Sequence, residues 1–211
     1  MSKKITIIDY GVGNILSIQN AIRFNGFDPI ITSNPELIDR SSHIILPGVG
    51  AFPAAMEKLK KLNLIDPIQS FKEKGKFILG ICLGMQLLFS KSEEFNNTEG
   101  LRLIEGDIVK LDKFNNYNNI KLPNIGWRKL DIDSSNNKIE LLTDIKKNSQ
   151  FYFVHSYALK EISKDVKIIK SSYGNVNFPA IVKENNIFGC QFHPEKSREN
   201  GLKLINNFLN L

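Results

Sequence analysis

Phe77-Ile78-Leu79-Gly80-Ile81-Cys82-Leu83-Gly84-Met85-Gln86 is the stretch on which the fold turns. Phe77–Ile81 is almost wholly apolar, as befits a strand buried on both faces of a parallel sheet. It ends in Gly-x-Cys-x-Gly, and Met85–Ser90 then reads as a helix. This is a nucleophile-elbow pattern with Cys in place of Ser. Glycines on either side let the chain reverse sharply and leave the side chain exposed at the strand's end. A thiol at a helix N-terminus has its thiolate favoured, and the thiolate is the nucleophile. The alternative is a buried Cys serving as a small hydrophobe at a strand–helix junction.

Outward from this segment, the first half alternates strand-like and helix-like runs. Lys4–Asp9, Pro29–Thr32 and His43–Leu46 read as strands. Ile15, Ile18, Gln19, Ile22 and Arg23 have helical spacing closed by Gly26, and Ala54–Leu62 is a second helix. Such repetition points to a doubly wound α/β sheet. The second half is richer in strands: Gly106–Leu111, Gly126–Ile132, Phe151–Val154, Lys167–Ser171, Ala180–Lys183 and Ile187–Gln191. Asn115–Asn119 and Ser134–Asn137 read as turns between them, and Glu199–Leu211 as an amphipathic closing helix. Neither a repeat nor a linker divides the chain, so one domain over 1–211 is expected, parallel first and more antiparallel later.

Composition narrows the function classes. The chain has 211 residues, 42% hydrophobic and 24% charged, which is ordinary for a globular protein. No apolar run approaches the roughly 18 residues needed to span a bilayer, and Ile5–Ile8 is too short for a signal-peptide core, so a cytoplasmic location without membrane association is expected. The net charge of +6 comes from 23 Lys and only 5 Arg, with no dense basic run or basic–aromatic stripe. Lys58, Lys60, Lys61 and the Lys72–Lys76 segment read as solvated helix faces, so nucleic acid is not an expected partner. Cys82 and Cys190 lack the framework of a disulfide protein, and a zinc site is not expected from Cys190, His193 and so few further ligands.

Two further segments carry chemistry. In Gln191-Phe192-His193-Pro194-Glu195-Lys196-Ser197, extended backbone would put His193 and Glu195 on one side, with Pro194 stiffening the link. A His can accept and return a proton while a carboxylate holds its tautomer. A surface His beside a surface Glu is the plain alternative. Leu46-Pro47-Gly48-Val49-Gly50, a glycine turn after another apolar strand, could present backbone N–H groups that join Leu83 N–H in an oxyanion hole; the alternative is an ordinary turn.

Gly80–Gln86 around Cys82, together with His193-Pro194-Glu195, resembles the class I (triad) glutamine amidotransferase family. Asp9–Asn14, Pro47–Phe52, Ile125-Gly126-Trp127, Tyr152–Tyr157 and Gln191–Ser197 are similar to the glutaminase subunit of imidazole glycerol phosphate synthase, over essentially the whole chain. The resemblance implies a central, mostly parallel sheet flanked by helices, with an additional antiparallel layer in the second half. It implies Cys82, His193 and Glu195 as catalytic residues, Val49, Gly50 and Leu83 at the oxyanion hole, and Gly48, Gly50, Gln86, Ser156 and Tyr157 holding glutamine. It also implies Asn14, Trp127 and Tyr152 facing a (β/α)₈ synthase subunit in a heterodimer, and no cofactor. His155 takes a supporting role, and Cys190 reads as a packed strand residue. The related subunits usually carry Asn where this chain has Arg128, and His or Gln where it has Asn124. The second reading is a paralogous glutaminase feeding another acceptor, such as an amidino-sugar synthase; a silent scaffold is opposed by the intact triad.

Overall fold

The computed structural model describes residues 3–114, 120–132, 139–162 and 165–211. The expected turns at Asn115–Asn119 and Ser134–Asn137 lie outside the described residues. The first half runs β1 (Ile5–Ile8), α1 (Ile15–Phe24), β2 (Ile30–Thr32), α2 (Pro35–Asp39), β3 (His43–Leu46), α3 (Phe52–Lys61), α4 (Ile65–Glu73), β4 (Phe77–Ile81) and α5 (Leu83–Leu87). Then come β5 (Lys91–Ser92), β6 (Thr98–Glu99), β7 (Gly106–Lys110), β8 (Asn124–Asp131), β9 (Gln150–His155) and β10 (Tyr157–Ile162). The chain ends with β11 (Lys167–Tyr173), β12 (Val176–Glu184), β13 (Ile187–Cys190) and α6 (Arg198–Leu209).

The large sheet has nine strands in the order β2-β1-β3-β4-β13-β12-β11-β8-β9. Its first five are parallel, and the rest pair antiparallel. The antiparallel strands of the second half therefore extend the same sheet rather than forming a layer apart. The separate layer is a smaller sheet, β10-β7-β5-β6. The sequence pattern does not anticipate β5, β6, β10 or α2, and of α4 it anticipates only the end at Lys72. In β10 the pattern is broken by a register shift between Leu159 and Glu161, which hides a period of two.

Alternation along the parallel strands explains why helices cover both faces. Ile44, Leu46 and Ile78 face one core with Leu59, Ile68 and Phe71 of α3 and α4. Ile45, Leu79 and Ile81 face the other, with Ile18 and Ile22 of α1 and Leu204 and Phe208 of α6. Each such side chain, fully removed from water, contributes about 1.5–3 kcal/mol. The small sheet adds Ile108 and Leu159 to the first of these cores.

β3, β4 and β13 lie side by side, with Leu46 opposite Gly80 and Cys190 opposite Ile81. The loops leaving their C-terminal ends carry Pro47–Gly50, Cys82 and Gln191–Glu195. Three segments distant in sequence thus meet at one end of one sheet, where open α/β sheets place their ligands.

Candidate active site

The elbow has the backbone its sequence demands. Cys82 sits at φ +53°, ψ −109°, a conformation that costs a residue with a side chain about 1–3 kcal/mol and persists only where its surroundings enforce it. Those surroundings are glycines. A Cβ on Gly84 would lie 1.9 Å from the Leu46 carbonyl oxygen, and one on Gly80 would lie 2.7 Å from Met85 N. Gly48 closes the packing from the neighbouring turn, since its Cβ would come within 2.5 Å of Gly84 N. Tyr10 donates from its hydroxyl to the Pro47 carbonyl at 2.6 Å and so pins that turn from the β1 side.

Contrary to the expectation of an exposed thiol, Cys82 is only 6% exposed. Its side chain opens instead into a cavity of about 260 Å³ lined by Val49, Gly50, Leu83, Gln86, Glu94, Ser156, Tyr157 and His193, among others. Tyr157, which opens β10, and Glu94, just beyond β5, bring the margin of the small sheet into its wall, which an isolated elbow motif does not foretell. A larger groove of about 570 Å³, lined by Lys72, Lys76, Lys167 and Lys183, opens where β4 and β13 begin, at the far end of those strands from Cys82.

His193 and Glu195 are joined by a 2.8 Å hydrogen bond from Nδ1 to Oε1 with both side chains buried. The means differ from the extended chain expected: Pro194–Lys196 is a single 3₁₀ turn, and the Ser197 hydroxyl donates to the His193 carbonyl at 2.6 Å. Burial disfavours a charged ring, but Cys82 and Glu195 outweigh it and raise the His193 pKa to about 10. Nε2 of His193 has no hydrogen-bond partner among the described residues. It is left to serve the sulfur and whatever enters the cavity.

The remaining assignments separate cleanly. Gln86 is buried and donates from Nε2 to the Tyr157 carbonyl at 2.9 Å and to Gln191 Oε1 at 3.1 Å. Gly48 does not line the cavity; its contribution is the close backbone approach to Gly84. His155 is buried with both ring nitrogens engaged, by the Tyr157 carbonyl at 2.9 Å and Asn124 Nδ2 at 3.0 Å. Burial, with the charges of His193 and Arg128, lowers its pKa to about 4 despite the Tyr157 bond. Cys190 is fully buried, and burial drives its thiol well above the usual range. Asn14 immediately precedes α1, while Trp127 and Tyr152 pair across β8 and β9 with ring centroids 5.9 Å apart. None of these three lines the cavity.

Two participants went unnoticed in the sequence. Gln191 is buried and lies 3.9 Å from Cys82 Sγ through Nε2, a weak contact that helps seat the thiol. Glu94 stands in the cavity wall and accepts from Phe52 N–H at 2.7 Å. Burial raises its pKa, with the Phe52 bond opposing. Its only signal in sequence is a Glu-Glu pair seven residues beyond Gln86, indistinguishable from surface acids.

A family model described as glutamine amidotransferase class-I matches residues 6–211. The chain belongs to that family. Its similarity extends to proteins named imidazole glycerol phosphate synthase subunit HisH. The one from Caldanaerobacter subterraneus is 46% identical over 97% of this chain and 96% of its own length. The one from Lactococcus lactis is 45% identical over 98% of both. Among solved structures, one titled as a glutamine amidotransferase aligns with a TM-score of 0.74 at 14% identity, over 98% of this chain and 99% of that one. The structure of PurLQS from Thermotoga maritima aligns with a TM-score of 0.73 at 22% identity, over 100% and 99%. At those identities the two structures speak for the class I amidotransferase fold alone.

Proposed function

We propose that this class I amidotransferase is the glutaminase subunit of an imidazole glycerol phosphate synthase. It hydrolyses glutamine and passes the ammonia to a synthase subunit that makes imidazole glycerol phosphate and AICAR in histidine biosynthesis. The observation that carries the reading is the convergence of Cys82 and His193, the latter held from behind by Glu195, on one cavity that Val49, Gly50 and Leu83 also line. The near full-length kinship to HisH subunits supports this acceptor over that of an amidino-sugar synthase.

Sγ of Cys82 attacks the side-chain amide carbon of glutamine, and backbone N–H groups of Leu83 and the Val49–Gly50 turn stabilise the oxyanion. His193 gives its proton to the departing nitrogen, so the C–N bond breaks and ammonia leaves a thioester behind. His193 then takes a proton from water as the water attacks, and collapse releases glutamate and regenerates the sulfur nucleophile. Glu195 holds the ring throughout. Gln86, Ser156 and Tyr157 hold the substrate, and Glu94 takes its α-ammonium group, whose charge would offset the burial that raises the Glu94 pKa.

Asn14, Trp127 and Tyr152 face a (β/α)₈ synthase subunit in a cytoplasmic heterodimer, through which ammonia is channelled. Gly50 has φ +91° and open space where a Cβ would stand, so the Gly48–Gly50 turn can rotate at little steric cost. The isolated chain should therefore hydrolyse glutamine slowly and the complex with bound acceptor faster. Measuring kcat for the chain alone, with synthase, and with synthase plus acceptor tests this, and equal rates would overturn the gating. Complementation of a strain lacking the subunit, without added ammonium, tests the pathway. Failure with soluble protein and cognate synthase would favour another acceptor.

A further inference from the structure

Residues 124, 126 and 128 alternate onto one face of β8. Gly126 between them has no side chain, and a Cβ there would lie 3.4 Å from Arg128 Nη1. Arg128 uses that gap to fold back along its own strand rather than project outward. Its guanidinium donates to the Trp127 carbonyl at 3.0 Å, the Ile125 carbonyl at 3.3 Å and Asn124 Oδ1 at 3.2 Å, and it lies 5.0 Å from the Tyr173 ring centroid. This rigid fork satisfies a site that the mobile ammonium of a lysine would not.

Asn124 is completely buried, and Arg128 decides which way its amide points. With Oδ1 occupied by an obligate donor, Nδ2 must face His155 Nε2, 3.0 Å away. Nε2 must then accept, so the ring proton sits on Nδ1 and is donated to the Tyr157 carbonyl. That same carbonyl takes the Gln86 amide, which also meets Gln191, the neighbour of the Cys82 thiol. A continuous chain of contacts thus runs from Arg128 to the nucleophile.

We propose that Arg128 is a positioning residue for the glutamine pocket: acting through Asn124, it locks His155 in the neutral Nδ1–H tautomer that holds the Ser156–Tyr157 wall. This rests on the glutaminase reading for its kinetic consequence, but its structural claim is independent of it. Without Arg128 the Asn124 amide is free to turn over and offer Oδ1 to Nε2. His155 could then carry two protons, between the Tyr157 carbonyl and Asn124. The charges facing His155 are His193, on the loop after β13, and Arg128 itself; Asn124 and the rings of Phe153 and Phe178 complete its surroundings.

The test uses the full chain, labelled with ¹⁵N in histidine, as wild type, Arg128→Ala and Arg128→Lys. Ring-nitrogen spectra across pH 4–8 report the tautomer and titration of His155. The wild type should show the Nδ1–H tautomer throughout the neutral range. In both variants the His155 titration should move up by about one pH unit or more. The acid limb of kcat/KM for glutamine, measured in the synthase complex, should move with it. Arg128→Lys is decisive, because it keeps the charge and loses the fork. A His155 titration unchanged in the lysine variant would reduce the effect to charge and overturn the proposal, as would an Nε2–H tautomer in the wild type. Moved spectra in the variants, with a wild-type synthase complex that shows no glutaminase activity, would support the structural claim and refute the functional reading instead.

Discussion

Replacing Glu195 with Gln isolates what the carboxylate does for His193. The two side chains are almost fully buried and share one 2.8 Å bond, and Glu195 Oε2 has no partner among the described residues. Glutamine is nearly isosteric, so the pocket keeps its volume while the charge disappears. A hydrogen bond to a charged partner contributes about 1.5–3 kcal/mol, and each 1.36 kcal/mol is a factor of ten, so this loss alone slows turnover roughly 10- to 150-fold. The amide adds a second fault. It can present its NH₂ to Nδ1, forcing the ring proton to Nε2, the tautomer error that costs a Ser-His-Asp site about 10⁴-fold. A fall in kcat of at least about 10²-fold, with KM for glutamine little changed, is expected in the synthase complex. The alkaline side of the profile should move as well. Burial lowers the His193 pKa, while Cys82 and Glu195 raise it to about 10. Removing Glu195 therefore brings the basic limb of kcat to lower pH. A variant within threefold of wild type, or an unmoved basic limb, would refute the role given to Glu195.

Cys82→Ala should abolish glutamine hydrolysis and leave synthase binding intact, because truncation enlarges an existing cavity rather than opening one in a core; residual turnover in the complex would remove Cys82 from the chemistry. Cys190→Ala should cost about 1 kcal/mol in denaturant unfolding and leave kcat near normal, and a loss as complete as at Cys82 would exchange the roles of the two thiols. A pH dependence of stability follows from His43, which stacks on Phe77 with its Nε2 unpartnered among the described residues. Burial, with the Lys3 charge, lowers its pKa from 6.5 to about 4, so the unfolded chain binds a proton that the folded chain refuses between those values. Stability should fall by roughly 3 kcal/mol as pH drops through that window, and His155 should contribute a similar loss. The raised pKa of His193 acts elsewhere, giving stability that is full below 6.5 and fades toward 10. His43→Phe should remove roughly 3 kcal/mol of the fall in unfolding free energy between pH 6.5 and 4, and an unchanged slope would disprove burial of a neutral ring.

Local chemistry was legible in the residues because each motif is contiguous and its demands are steric. Gly80-Ile81-Cys82-Leu83-Gly84 announces an elbow, since only glycine tolerates a neighbouring backbone at the distances found for Gly80 and Gly84. His193 and Glu195, two apart, announced their partnership, although a 3₁₀ turn achieves it. The parallel half was readable because both-face burial writes near-continuous apolar runs such as His43–Leu46 and Phe77–Ile81. What a linear pattern cannot carry is adjacency. That β3, β4 and β13 are neighbours, and that Tyr157 and Glu94 enter the wall of the cavity beside Cys82, are outcomes of packing between segments apart in sequence. Arg128 shows the limit most clearly. In sequence it was a charge beside Trp127, standing where the related subunits usually carry Asn. In three dimensions the empty space above Gly126 lets its guanidinium turn inward, and burial of Asn124 and His155 makes their hydrogen bonds obligatory. A side chain's direction depends on which neighbours leave room and which polar groups water can no longer reach, and those are settled only when the chain has closed upon itself.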